Sequence, residues 1–277
     1  MNMTSSRALR TVILLLAGSL LAGCATGGLK GNKSEGLKLA HLLRDQGRLE
    51  AAADVYARLD VRGLLNGPEM LEYASVAAPV RQPAQALTLY SRARDALGGS
   101  LENMSSSEAL AICTGMGRAE LALGQMGLAQ QSFTCALQRD SKNVTALNGA
   151  GVLLDAQGQH EQARQRFQQA LTQDPGNIPV MNNLALSWLA SGQADRAIQQ
   201  LSNADASNPS VRLNLALAWL VKGDEDKARD VLSQLADASQ VDTLLTSLKA
   251  RAAQLSSSSN TLLMASTQPL SLSEPNP

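Results

Sequence analysis

Small and large apolar residues recur along the chain at fixed distances from a series of glycines. In the segments GRAELALGQMGLAQQSFTCAL, GVLLDAQGQHEQARQRFQQAL, ALSWLASGQADRAIQQLSNA and ALAWLVKGDEDKARDVLSQLA these are Gly124, Gly158, Gly192 and Gly223, at steps of 34, 34 and 31 residues. Five residues after each stands an alanine (Ala129, Ala163, Ala197, Ala228), and four further on a large apolar residue (Phe133, Phe167, Leu201, Leu232). Ala136, Ala170 and Ala204 follow in the first three, and Pro175 and Pro209 close two of the units. Apolar positions on either side of the glycine keep helical spacing, so each unit is predicted to be a helix–turn–helix. The glycine supplies a left-handed turn residue at little cost. Upstream, Gly47, Ala52 and Tyr56 show the same pattern, and Ala86 and Tyr90 lie one period beyond Ala52 and Tyr56. That second unit carries Arg81 where the glycine would stand, between Pro79 and Pro83. The longer step from Ala86 to Ala129 is one period plus an insertion around GGSLENMSS. Six units therefore fill residues 33–240.

One such pair cannot bury its apolar face alone, so stability must come from stacked neighbours. Small residues on the first helices (Gly117, Gly151, Ala185, Ala216) are expected to face the small alanines of the second, and the large residue to plug the gap to the next unit. Residues 241–255 read as one more amphipathic helix covering the last repeat. The Ser/Pro-rich stretch 256–277 has the composition of a disordered tail.

This pattern resembles the tetratricopeptide repeat (TPR), over most of the chain. The resemblance implies an all-α, superhelical TPR solenoid of about six units with a C-terminal capping helix. It also implies a concave surface lined by first helices, on which Asn148, Val152, Asp155, Asn182, Asn183, Leu186, Leu189, Asn214, Leu217 and Leu220 would face a partner. Amides recurring there can hold an extended peptide backbone, since each offers donors and an acceptor; equally, they can bond adjacent helices to one another. The basic residues of carboxylate-clamp TPRs are missing from the corresponding places, which favours a partner with apolar side chains over an acidic chain end.

Composition narrows the function classes. With 24 Lys+Arg, 24 Asp+Glu and only 3% aromatics, nothing supplies the basic surplus or stacking rings that nucleic-acid binding needs. Catalytic equipment is sparse. His160-Glu161 has no second histidine at zinc-protease spacing, Asp224-Glu225-Asp226 lacks the glycine and distal glutamate of a calcium loop, and Gly149–Gly151 follows no predicted strand. The expectation is a non-enzyme with no metal site, cofactor or small-molecule substrate.

The N-terminus reads as an address. Arg7 and Arg10 precede an apolar run, Thr11 to Ala22, that is too short to span a membrane and fits a secretory signal. It ends in Leu21-Ala22-Gly23-Cys24, which resembles the lipobox of bacterial lipoproteins. The resemblance implies removal of residues 1–23, lipidation of Cys24 and a tether over 24–32. Ala25 implies sorting to the periplasmic face of the outer membrane. The other cysteines, Cys113 and Cys135, fall on the two helices of one repeat, each 11 residues from Gly124. Equal distances place them at similar height on the hairpin, where an oxidising periplasm permits a disulfide; two buried thiols are the alternative.

Over GLKLAHLLRDQGRLEAAADVYARL, ALNGAGVLLDAQGQHEQARQRFQQALTQDPGN, NNLALSWLASGQADRAIQQL and RLNLALAWLVKGDEDKARDVL the chain is similar to the TadD lipoproteins of tight-adherence (Flp pilus) secretion machines. That family implies a scaffold or pilotin-like role in assembling the outer-membrane secretin, with secretin or other pilus-machine proteins as partners. A type IV pilus pilotin, and an adaptor docking peptidoglycan hydrolases or proteases, are the alternatives.

Overall fold

The computed structural model describes residues 32–205 and 207–257. The expected signal segment 1–23, Cys24 and the expected tether up to residue 31 lie outside the described residues, as does the expected tail from 258, while residues 256–257 belong to the last helix. Among those described there are thirteen α-helices and no strand. The chain divides into two compact units, one ending at Leu64 and one beginning at Leu65.

The first unit holds one helix pair, α1 (Lys33–Asp45) and α2 (Leu49–Val61). Asn32 opens α1 by accepting a hydrogen bond from the Glu35 N–H, satisfying one of the donors that a helix start leaves free. Ala40, Ala52, Tyr56 and Leu59 are buried within this pair.

The second unit is a run of five pairs and a final helix. The pairs are α3 (Gly67–Ala77) with α4 (Pro83–Ala96), α5 (Ser106–Ala122) with α6 (Met126–Arg139), and α7 (Val144–Ala156) with α8 (His160–Gln173). They continue with α9 (Ile178–Ala190) and α10 (Ala194–Ser202), then α11 (Pro209–Lys222) and α12 (Glu225–Leu232). Helix α13 (Ala238–Ser257) closes the series.

First helices start on side-chain caps. Asn66 with Glu69 and Ser105 with Glu108 form reciprocal capping boxes, and Asn143, Asn177 and Asn208 cap α7, α9 and α11. The hand-over to the second helix is made by the turn glycine. Gly158 has φ +75°, and the Gln159 N–H reaches back to the Leu154 carbonyl at 2.9 Å, closing α7 while α8 begins two residues later. The insertion appears as the loop 97–105 between α4 and α5. The shorter last step has its counterpart in short second helices: α10 ends at Ser202, so Ala204 lies outside it, unlike Ala136 and Ala170.

Packing differs from the expected meeting of small residues. The glycines of the first helices receive aromatic rings. An ideal Cβ on Gly117 would stand 2.8 Å from the Phe133 ring, and one on Gly149 would stand 2.2 Å from the same ring. Phe133 is thus wedged between its own repeat and the next. Gly151 accommodates Phe167, and Gly115 accommodates Tyr90 of the preceding repeat. Further along, alanine replaces glycine and leucine replaces phenylalanine: Ala185, Leu201, Ala216 and Leu232 are all buried in the last core cluster. Helix α13 adds Val241, Leu245, Leu248 and Ala252 to that cluster. Burying one such large side chain contributes roughly 1.5–3 kcal/mol, which offsets the exposed apolar face a terminal repeat would otherwise present.

Candidate functional site

The first helices of the second unit wall a cavity of about 590 Å³. One row of its lining runs at the repeat period: Arg118 on α5, Val152 on α7 and Leu186 on α9. A second row, Asn148 and Asn182, sits one helical turn earlier on α7 and α9. Asn183, Ser210, Leu213 and Asn214 extend the wall to α11, and Arg251 of α13 completes that end.

The amides join neighbouring first helices. Asn183 Nδ2 donates to Asn148 Oδ1 at 2.9 Å, and Asn182 Nδ2 donates to Ser210 Oγ at 2.9 Å. Asn148, Asn182 and Asn183 are therefore partly engaged within the wall. Asn182 Oδ1 is buried with no donor, and Asn214, half-buried, makes no side-chain hydrogen bond among the described residues.

Of the residues expected on this surface, Asn148, Val152, Asn182, Asn183, Leu186 and Asn214 line the cavity. Leu189, Leu217 and Leu220 do not. Leu189 is 2% exposed and Leu217 fully enclosed, both in the core cluster with Leu232 and Leu245, while Leu220 packs against its edge. For Leu217 the cause is α13, which packs on α11 and encloses it; Leu186, in the same cluster, keeps an edge on the cavity.

Asp155 is also withdrawn from the surface. Its Oδ1 accepts hydrogen bonds from Ser187 Oγ and pairs with His160 Nδ1, both at 2.8 Å, while Oδ2 is buried without a partner. Burial pushes the Asp155 carboxyl up, against the opposing pull of the His160 and Ser187 hydrogen bonds and the charges of His160 and Arg164. Arg164 lies beside this cluster, bonded to Ser191 and Glu161 and stacked 4.2 Å over the Trp188 ring. Asp, His and Ser here form a buried tie between α7, α8 and α9. Ser187 is fully enclosed and its hydroxyl points to the carboxylate, so no substrate reaches it.

Cys113 on α5 and Cys135 on α6 are joined as a disulfide, with their Cα atoms 5.9 Å apart. The bond staples one hairpin and lies outside the cavity lining.

Charge in the cavity is one-sided. Its lining includes Arg118 and Arg251 and no aspartate or glutamate. Arg118 is exposed. Arg251 is half-buried, and burial pushes its pKa down. Tyr90, also in the lining, is pushed up by burial, against the lowering effects of a Ser75 hydrogen bond and the Arg118 charge. Neither arginine stands at a carboxylate-clamp position, so the clamp pattern does not single them out. For Arg118 the signal is the period, since it stands 34 residues before Val152; Arg251 lies on α13, outside the repeats.

Models of the tetratricopeptide repeat match residues 114–178, 156–210 and 188–252. Together they take in 114–252, half of the chain. Solved structures share the fold. A tetratricopeptide repeat protein from Parabacteroides merdae is 18% identical at a TM-score of 0.58, over 85% of this chain and 90% of that one. A thermophilic TPR protein from Thermus thermophilus is 22% identical at 0.53, over 66% of this chain and 98% of that one. Pseudomonas aeruginosa PilF is 19% identical at 0.50, over 68% of this chain and 87% of that one. No curated protein sequence matches the chain. Period, turn geometry, stacked pairs and these matches agree: the chain belongs to the tetratricopeptide repeat family, whose repeats serve as scaffolds for protein–protein interaction.

Proposed function

We propose that this protein is a lipid-anchored scaffold that assists assembly of an outer-membrane secretin for Flp-type pili. The observation that carries the reading is the cavity, a concave wall drawn from successive repeats, with amides placed for a peptide backbone and an apolar Val152–Leu186 floor. The sequence supplies the rest: the Leu21–Cys24 lipobox for anchoring, the resemblance to TadD for the machine. A Cys24 anchor on the periplasmic face of the outer membrane would hold the cavity where secretin subunits insert. Several acyl chains, at about 0.8 kcal/mol per buried CH₂, give durable anchoring.

Deleting the gene in its host should leave prepilin synthesis intact and reduce SDS-resistant secretin multimers and surface pili. Asn214→Trp, which fills the cavity from a half-buried wall position, should reproduce the defect in a folded protein. Cys24→Ser should abolish labelling by a fatty-acid analogue and release the protein from the membrane fraction. Normal secretin multimers in the deletion strain, alongside altered cell-wall hydrolysis, would replace this reading with that of a hydrolase adaptor.

A further inference from the structure

The cavity has a chemical polarity that its repeat pattern alone does not predict. Val152 and Leu186 form an apolar floor along the row set by the repeat period, Arg118 on α5 continues that row at one end, and Arg251 on α13 stands at the other end of the wall. In a chain whose charges balance overall, this wall carries two cations and no carboxylate. Arg251 is drawn half out of water, and among the described residues it has neither an ion pair nor a side-chain hydrogen bond. A guanidinium so placed has lost part of its hydration and gained no counter-charge. An unmatched acceptor adds to this. Asn182, nine-tenths buried in the same wall, leaves its carbonyl oxygen without a donor. The wall thus lacks a carboxylate for its cations and an N–H for its amide.

An extended peptide carrying an acidic side chain supplies the carboxylate. Resting on the reading of the cavity as a partner-binding groove, we propose that its occupant is an extended acidic segment of a partner protein. Arg251 and Arg118 take the carboxylates, the asparagine wall takes the peptide backbone, and Val152 and Leu186 take the intervening apolar side chains. Arginine suits this role because its planar fork matches a carboxylate with two parallel hydrogen bonds.

The test pans the full chain, purified in detergent, against a randomised library of short peptides, then measures the best binder by fluorescence anisotropy. Enrichment of Asp and Glu is expected. Arg251→Gln and Arg118→Gln should each weaken the selected peptide about tenfold or more, as loss of a charge-assisted hydrogen bond does. The same peptide with its acids changed to amides should bind the parent protein comparably weakly. Arg118 is exposed, so Arg118→Gln and the neutralised peptide remain decisive should Arg251→Gln perturb folding. Peptides that Asn214→Trp blocks, but that show no acidic enrichment and no loss with either arginine variant, overturn the acidic assignment and leave the groove reading standing. Absence of any peptide blocked by Asn214→Trp overturns the groove reading itself.

Discussion

Gly149→Ala sets two effects of opposite sign against each other. Glycine inside a helix costs about 1 kcal/mol relative to alanine, so on local grounds the substitution should stabilise α7. The tertiary structure reverses this. The added methyl would stand 2.2, 2.3 and 2.6 Å from three carbons of the Phe133 ring. The ring has little room to retreat, because it also abuts Gly117, whose own ideal Cβ position lies 2.8 Å from it. Overpacking a filled core typically costs about 1–3 kcal/mol. With the ring packed against both glycines, the upper end applies. Subtracting the helix gain leaves about 2 kcal/mol of net destabilisation. Gly127, in the exposed first turn of α6, has nothing within 4 Å of its Cβ position, so Gly127→Ala should be neutral or stabilising by up to ~1 kcal/mol. Urea titrations followed by circular dichroism would read both variants as midpoint shifts at unchanged slope. Phe133→Leu combined with Gly149→Ala should recover part of the loss, the coupling expected of residues in contact. A midpoint raised by Gly149→Ala would refute the wedge.

Three further outcomes follow from the same structure. Cys113→Ser opens a 22-residue loop and should cost roughly 3 kcal/mol on the chain-entropy account; a melt that responds neither to this change nor to reductant would count against the staple. Leu217→Ala should cost about 2–5 kcal/mol as a core truncation, whereas a Leu217→Lys protein that stays folded would place that residue back on the groove. Asp155 is held with a raised carboxyl pKa by burial, so the folded state keeps its proton longer than the unfolded chain does. Its contribution is therefore most favourable below the ordinary carboxylate range and falls as pH rises through the raised value. Asp155→Asn, keeping an acceptor for Ser187, should gain in stability relative to the parent across that rise in thermal melts. A difference independent of pH would show that the carboxyl is not perturbed.

The period, the turn glycines and the number of helix pairs were legible in the chain because they rest on short-range physics. A left-handed residue at Gly158, a cap at Asn177 and an apolar stripe along α8 each depend on a few neighbouring residues, and the same solution recurs every 34. The period also placed Asn148, Asn182, Val152 and Leu186 on one wall. It could not decide which copies of a position stay on that wall. Leu186 and Leu217 hold equivalent places in their repeats and share one core cluster, yet only Leu186 keeps an edge on the cavity, because α13 packs chiefly over α11 and encloses Leu217 fully. Asp155 reads as a groove residue until Ser187 and His160, brought in from two other helices, enclose it. Small residues on the first helices announced close packing, but not that Phe133 would occupy the space of two glycines in different repeats. Arg251 belongs to a helix outside the repeat count and meets the groove only through the way α13 docks. Local preferences repeat with the sequence, whereas burial and charge at a given position are set by whichever element packs over it, and at the end of an array that element is different.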